Sequence, residues 1–348
     1  MSTVYVGMSG GVDSSLTAAL LQEQGHHVVG VYMKNWTQDL PGMKCPWADD
    51  LADAKRVAVQ LGIDFKVFDF QEEYKQKVVD YMIEEYRQGR TPNPDIMCNQ
   101  EVKFKIFLET ALQDGADMIA TGHYARVRNG QLLQAADTNK DQTYFLYRVT
   151  RAALEKTLFP LGEYTKDVVR KMAAERGLVT AGKKDSQGIC FVGQIGIREF
   201  LSEYVEQKVG PIIDAQNGRK LGQHDGAIFY TIGQRHGLEL GGGLPYYVVG
   251  KNMDSNEVYV TTDLNSEALW RELIPLQSVH WIGDMAPNDG MYAVRVRHRA
   301  ALVPARLECS DTGATVYMDT PERAVAAGQS IVIYDGNRCI GGGIVVAA

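Results

Sequence analysis

Thr3-Val4-Tyr5-Val6-Gly7-Met8-Ser9-Gly10-Gly11-Val12-Asp13-Ser14-Ser15 stands near the start of the chain and decides how its first half folds. Thr3 to Met8 is an apolar run that predicts a buried strand, and Ser14 to Gln24 predicts a helix stopping at Gly25. Between them, two glycines let the backbone turn tightly and bring its N–H groups close to an anion. Ser9, Ser14 and Ser15 add hydroxyl donors, and the helix N-terminus adds its dipole. The stretch lacks the lysine of a P-loop and the GxGxxG of a dinucleotide fold. Its candidate anion ligands are Gly7, Met8, Ser9, Gly10, Gly11, Val12, Asp13 and Ser14. A plain βα turn with Ser and Asp caps is the bland alternative.

Working outward, strand and helix signals alternate. Strands are expected at Val28–Met33, Phe65–Phe70 and Met118–Thr121. Helices are expected at Asp49–Leu61, about Glu72–Gln88 and about Asn99–Leu112. This alternation predicts an α/β fold with a doubly wound parallel sheet, its ligand at the carboxyl ends of the strands. Beyond about residue 200 helical periodicity fades and glycine rises. Short alternating runs appear, with a helical stretch expected over Ser266–Leu273. The domains read as 1–200, a catalytic α/β unit; 201–272, a small mixed or β unit; and 273–348, a β-barrel.

Lys plus Arg is 36 and Asp plus Glu is 43, a formal net charge of −7, so the chain is no indiscriminate nucleic-acid coat. No basic region precedes Lys34, so no secretory signal is expected, and no apolar run is long enough to span a membrane. Five cysteines (Cys45, Cys98, Cys190, Cys309, Cys339) form no CxxC, which fits a reducing cytosol and a cytoplasmic location.

Gly89-Arg90-Thr91-Pro92-Asn93-Pro94-Asp95-Ile96-Met97-Cys98-Asn99 carries two prolines that stiffen a loop. Cys98 is expected at the start of the next helix, where the positive dipole end favours thiolate. Asp95 is a candidate acid or base. A cysteine taken alone is most often a small buried hydrophobe. Cys190 lies in Lys183-Lys184-Asp185-Ser186-Gln187-Gly188-Ile189-Cys190-Phe191-Val192-Gly193. Its apolar neighbours favour a core position, while two lysines and flanking glycines leave open an electropositive, mobile thiol.

Together, SGGVDS, TPNPDIMCN, IATGHYARV (Ile119–Val127), DQTYFLY (Asp141–Tyr147), KKDSQGICFVG and YTIGQRHGL (Tyr230–Leu238) decide the reading. In this order they resemble the bacterial and organellar tRNA-specific 2-thiouridylases, within the ATP pyrophosphatase (PP-loop) superfamily, almost from end to end. The resemblance implies ATP with Mg²⁺ in the loop, and adenosine contacts at Met33 and Gly122. It implies that the wobble uridine flips out of the tRNA anticodon loop to meet Asn93, Pro94 and Asp95. Its C2 oxygen would be adenylated, and Cys190 would carry a persulfide from a sulfur-relay protein. Cys98 would then resolve the sulfur bond, or release hydrosulfide as the attacking species. Further tRNA contacts are implied at His123, Lys140, Asp141, Gln142, Arg297, His298 and Gln329.

Ala293–Arg299 alternates as a strand, which places Arg295, Arg297 and Arg299 on one face as a candidate phosphate stripe. His298 would then point the other way unless a bulge or strand end intervenes. A solvated barrel face is the bland reading. Two other functions compete: a PP-loop ligase that amidates a small molecule with ammonia, and an RNA-binding protein without activity. The first leaves the cysteines and barrel idle; the second leaves the intact loop, Asp95 and both thiols idle.

Overall fold

The computed structural model describes residues 1–40, 45–184, 196–241, 243–283 and 285–346; Asp185 to Ile195, and with them Cys190, lie outside the described residues. Five parallel strands form the first sheet, in the order Asp64–Asp69, His27–Lys34, Thr3–Gly7, Met118–Ala120, Thr157–Leu158. The chain first winds outward from Thr3–Gly7 on one side, then returns to add strands on the other. Thr3–Gly7 is thus the switch point, where a doubly wound sheet opens a crevice at its carboxyl ends.

Period-two alternation sorts the strand residues between two cores. Val4 and Val6 pack with Leu16, Ala54 and Val57 of the helices Val12–Glu23 and Trp47–Leu61. Tyr5, Val29, Val31 and Met33 face Val102, Phe107 and Ala111 of the helical run Pro94–Gln113. That run starts five residues before the expected Asn99. Pro94 sits at its first position, and Asn93 Oδ1 accepts from the Asp95 and Ile96 N–H groups at 3.1 and 3.4 Å. Its middle, Cys98–Ile106, is wound as a π-helix, a feature frequent near functional sites.

The central unit is a four-stranded sheet ordered Tyr247–Asn252, Glu257–Thr261, Gly210–Asp214, Lys220–His224. The C-terminal unit is a closed barrel of six strands. It runs Trp270–Trp281, Gly313–Arg323, Val303–Ser310, Gly290–Arg295, Ser330–Asp335, Arg338–Val345, and closes where Leu276 pairs with Val345. The helix expected over Ser266–Leu273 is replaced by a single short turn, Glu267–Leu269, and the barrel's first strand. Ile274 and Leu276 bury into the barrel core, so period two wins over the local helical spacing. A hairpin from the catalytic half, Arg126–Arg128 with Gln131–Leu133, extends the barrel: Leu133 pairs with Arg338 and Leu132 with Cys339.

Candidate active site at the carboxyl edge of the parallel sheet

The turn after Thr3–Gly7 is built to hold an anion. Gly10 has φ +72°, and a Cβ there would lie 2.3 Å from the Asp50 carbonyl oxygen, so only glycine fits. The Ser9 N–H donates to Ser14 Oγ at 3.2 Å, and Ser14 and Ser15 hydroxyls donate to the Gly11 carbonyl at 3.2 and 2.8 Å. No side chain caps the N-terminus of Val12–Glu23. Its first N–H groups therefore face the crevice without an intramolecular side-chain acceptor, the arrangement that suits a phosphate. Across the crevice, a Cβ on Gly122 would sit 2.9 Å from Asp13 C and Ser14 N. Glycine here lets the loop after Met118–Ala120 close directly on the phosphate turn.

A lysine that the sequence reading missed completes the loop. Lys166 opens the helix Lys166–Glu175, and its Nζ donates to both Asp13 carboxylate oxygens at 2.8 Å. Asp13 Oδ1 also accepts from Tyr124 Oη at 2.8 Å. Lys166 is buried at the positive end of its own helix, beside the N-terminus of a second one. A cation is disfavoured there unless an anion is present. Asp13 supplies one, and a bound pyrophosphate group would supply another. A second lysine, Lys183, binds Asp50 Oδ1 at 2.7 Å and Asp53 Oδ2 at 2.6 Å. It ties the start of the KKDSQGICFVG segment to the helix whose Asp50 carbonyl lies against Gly10. Cys190, further along that segment, lies outside the described residues.

The proline loop enters the same edge. Pro94–Gln113 leads into Met118–Ala120, so its N-terminus, with Asn93, Asp95 and Cys98, lies at the carboxyl end of the sheet. Asn93, Pro94 and Asp95 are half-buried and Cys98 is buried. Cys98 is one turn deeper in its helix than expected, because Asn93 and Pro94 start the helix early. A thiol one turn into the helix feels the positive end of the dipole less than one at the first position. Asn99 Nδ2 donates to the Phe145 carbonyl at 3.1 Å.

Thr91 fastens this loop to both β units. Its N–H donates to the Ala327 carbonyl at 2.8 Å, its carbonyl accepts from Gln329 Nε2 at 2.7 Å, and its hydroxyl meets Thr231 Oγ1 at 3.1 Å. Thr231 belongs to the YTIGQRHGL segment. Gln329, expected at the RNA, holds the proline loop in this structure.

The DQTYFLY segment and the arginine strand correct the expected RNA surface. Gly290–Arg295 ends at Arg295, and Arg299 has φ +63°, so the three arginines do not form one face. Arg295 is buried: its Nη1 donates to Asp141 Oδ2 at 2.8 Å, and its guanidinium lies 5.4 Å from the Tyr334 ring centroid. Asp141 is buried as well and also accepts from the Ala135 N–H at 3.0 Å and Thr143 Oγ1 at 2.7 Å. Tyr144 Oη donates to the Ser330 carbonyl at 2.9 Å, and Thr143 Oγ1 meets Tyr334 Oη at 3.1 Å. The segment therefore locks the catalytic unit to the barrel, with the Asp141 side chain buried between them.

His123 takes a core position too. Its Nδ1 meets Thr121 Oγ1 at 2.8 Å between Phe104 and Phe159, and burial holds the imidazole well below its ordinary range. Gln142 Oε1 accepts from the Tyr124 N–H at 2.9 Å, and Lys140 sits half-buried in the turn begun by Asp137. Arg297 and Arg299 are exposed, and Arg297 pairs with Glu322 Oε1 at 2.9 Å. His298 follows the strand end, which resolves its orientation. Its ring lies 4.4 Å from that of Phe145, and burial with the neighbouring Arg299 and Arg295 lowers its pKa to about 4.

Cys45, Cys309 and Cys339 form no disulfide among the described residues. Cys45 Sγ donates to the Trp36 carbonyl at 3.7 Å, and burial raises all three thiols above the usual range. Among the described residues no cluster of His, Cys, Asp or Glu is arranged as a metal site, and no helix is long and apolar enough to cross a membrane.

The sheet order, the uncapped helix behind a Gly/Ser turn and the two appended β units define a nucleotide-binding HUP-type, PP-loop-like domain with accessory β modules. Residues 2–194 match a family model described as a tRNA methyl transferase HUP domain, 198–262 a tRNA methyl transferase PRC-barrel domain, and 271–345 an aminomethyltransferase beta-barrel domain. The chain is 47% identical to tRNA-specific 2-thiouridylase MnmA 2 of Geobacillus kaustophilus, over 98% of this chain and 94% of that protein. It is 46% identical to tRNA-specific 2-thiouridylase MnmA of Enterococcus faecalis, over the same shares. The chain belongs to the tRNA-specific 2-thiouridylase family. A solved 4-thiouridine synthetase–RNA complex with bound ATP is similar at 17% identity and a TM-score of 0.39, over 58% of this chain and 50% of that one.

Proposed function

We propose that this chain is a tRNA uridine 2-sulfurtransferase that consumes ATP and thiolates the wobble uridine at C2. Family membership supports the substrate. The observation that carries the mechanism is the meeting, at one sheet edge, of an anion-binding turn and the helix start that bears Asp95 and Cys98. An uncharged carbonyl oxygen is a poor leaving group; transferred to AMP it becomes a good one. Adenylation thus divides a difficult substitution into two feasible steps. ATP would supply that activation, with Mg²⁺ on its phosphates. Ser9, Ser14 and the N–H groups of Val12–Glu23 bind the departing pyrophosphate, and Lys166 offsets its charge. Met33 and Gly122 line the adenosine side.

Asn93, Pro94 and Asp95 receive the base, with Asp95 as the group that moves a proton at the uracil ring. Cys190 carries the sulfur as a persulfide accepted from a donor protein. Its terminal sulfur attacks C2, and AMP leaves. The Cys98 thiolate then attacks the Cys190 sulfur, releasing the thiolated base and leaving a Cys98–Cys190 disulfide that a thiol reductant resets. Lys140, Gln142, Arg297, His298 and Gln329 are proposed contacts to the tRNA, in the cytoplasm. Gln329 would exchange its bond to Thr91 for one to RNA.

The test separates activation from sulfur transfer. Cys98→Ser and Cys190→Ser should each abolish thiolation in a sulfide-free assay with a persulfide donor, while tRNA-dependent pyrophosphate release continues for at least one turnover in both and AMP release for one turnover in Cys98→Ser only. Wild-type thiolation by either variant would remove that cysteine from the mechanism.

A further inference from the structure

Tyr230–Leu238, the YTIGQRHGL stretch of the central unit, supplies no group to the chemistry proposed above, yet it is firmly tied down. Gln234 Oε1 accepts from the Thr231 N–H at 3.0 Å, the Gln234 N–H donates to the Thr231 carbonyl at 3.0 Å, and Gln234 Nε2 donates to the His236 carbonyl at 2.9 Å. Lys251 Nζ, on the strand Tyr247–Asn252, donates to the Tyr230 carbonyl at 2.8 Å. The backbone groups of Thr231 are thus used within its own turn. Its hydroxyl reaches out of the central unit and meets Thr91 Oγ1 at 3.1 Å.

Thr91 is where both β units meet the proline loop. The barrel holds its backbone, through the Ala327 carbonyl and Gln329 Nε2, and a Cβ on Gly328 would stand 2.8 Å from the Thr91 nitrogen. The central unit holds its side chain. Two residues earlier, a Cβ on Gly89 would stand 2.9 Å from Met253 Cγ, so the central unit closes on this segment at two points. Beyond Thr91 the chain is stiff. Pro92 and Pro94 fix their own φ, and each confines the residue before it to extended backbone. Asn93 accordingly has φ −112° and ψ 101°, and it caps the helical run that carries Asp95 and Cys98. With so few torsions free, a shift at Thr91 is passed on to Asn93 and Asp95 and not absorbed between them.

We infer that Thr231 is a positioning residue: through its hydroxyl it fixes Thr91 and, with it, the pose in which Asn93, Pro94 and Asp95 hold the uridine for attack by sulfur. The contact matters most with tRNA bound. Gln329 then exchanges its bond to Thr91 for one to RNA, as proposed above, and the Thr231 hydroxyl is left with the Ala327 carbonyl to hold Thr91 in place. The central unit thereby acts on the reaction step and not on RNA affinity alone. The inference rests on the base-receiving role proposed for Asn93–Asp95.

The test is single-turnover thiolation by the full chain with saturating tRNA, ATP, Mg²⁺ and a persulfide donor, with tRNA affinity and melting measured in parallel. Thr231→Val removes the hydroxyl and nearly keeps the shape. It should thiolate about 10-fold more slowly, between the loss of one hydrogen bond and the roughly 100-fold cost of a misplacement of about 1 Å. Its tRNA affinity and melting midpoint should stay close to wild type. Thr231→Ser, which keeps the hydroxyl, should restore most of the rate. Both hydroxyls belong to one bond, so the double variant Thr91→Val with Thr231→Val should be no slower than the slower single variant. A wild-type rate in Thr231→Val overturns the inference. So does lost tRNA affinity with the saturated rate unchanged, a lost rate that tracks a lowered melting midpoint, equal slowing in Thr231→Ser, or multiplied slowing in the double variant. A wild type that cleaves ATP and leaves the tRNA unthiolated overturns the proposed reaction itself.

Discussion

Replacing Arg295 by Met should destabilise the protein strongly and leave RNA binding by the folded fraction little changed. The side chains of Arg295 and Asp141 are 8% and 1% exposed, and they meet at 2.8 Å across the boundary between barrel and catalytic unit. Removing one member of a buried pair leaves the other charged and uncompensated, which costs about 3–5 kcal/mol. Asp141 would keep its bonds from the Ala135 N–H and Thr143 Oγ1. The lower end, about 3 kcal/mol, is therefore the expectation. For a cooperative unit of the catalytic domain's size, about 2 °C is lost per kcal/mol, so the melting midpoint should fall by about 6 °C or more. The double variant Asp141→Leu with Arg295→Met should recover most of the loss, since an apolar pair of similar volume replaces a desolvated ionic one. Calorimetric melting of the four proteins completes the double-mutant cycle, with tRNA affinity measured against salt in parallel. An Arg295→Met protein that melts like the wild type yet loses tRNA affinity and salt dependence would refute the latch and restore the phosphate stripe.

Four further outcomes follow from the same geometry. Lys166→Met should lower tRNA-dependent AMP and pyrophosphate yields by about 10²–10³, the usual effect of removing one electrostatic stabiliser from a reacting group; unchanged yields would leave Lys166 a purely structural partner of Asp13. Gly122→Ala should weaken ATP binding, because the new Cβ would press on Asp13 and Ser14 backbone atoms 2.9 Å away, and nucleotide titration checks it. Arg297→Ala should leave the melting midpoint almost unchanged, as exposed pairs contribute about 0–1 kcal/mol, and should flatten the salt dependence of tRNA binding by about one ion. The unfolded chain binds more protons than the folded one between the ordinary His value of 6.5 and about 4 for His298, so stability should fall as pH drops through that window. His298→Phe should reduce that fall, and identical pH profiles would mean the imidazole charges without hindrance in the fold.

The parts legible in the sequence are those where neighbours along the chain do the work. The Gly/Ser turn, its strand and its helix are one contiguous unit, and their local chemistry already predicts an anion site at a switch point. Lys166 was not legible because it reaches Asp13 from 153 residues away and has no motif of its own around it. The arginine strand misled for a related reason. Period two identifies which residues share a face only while the strand continues, and nothing local announced that it stops at Arg295 or that Asp141 would bury that side chain. DQTYFLY shows the same limit. A polar and aromatic run near a site reads as a binding surface, but Thr143, Tyr144 and Tyr147 hydrogen-bond to Ser330 and Tyr334 inside an interface. Helix starts shifted where a side-chain cap decided them, as at Asn93. The hairpin Arg126–Leu133 could not be assigned to the barrel at all, since its partner strand lies some 200 residues later.

Those long-range contacts also bear on function. Thr91 is bonded to Ala327, Gln329 and Thr231 at once. The loop that carries Asn93, Pro94 and Asp95 is therefore held by the two β units, the same units proposed to meet the tRNA. Binding energy gained far from the reacting base can position that loop. The chain carries a net charge of −7, and the burial of Arg295 removes one cation from the barrel's surface. Selectivity for a folded RNA then depends on shape and on a few exposed side chains such as Arg297.

The most direct measurement is mass spectrometry of tRNA nucleosides after incubation of the full chain with tRNA, ATP, Mg²⁺ and a persulfide donor. 2-Thiouridine should appear at the wobble position, formed in step with AMP and pyrophosphate and absent when ATP is withheld. Thiolation without ATP, or ATP cleavage with no thiolated nucleoside in the presence of the donor, would contradict it.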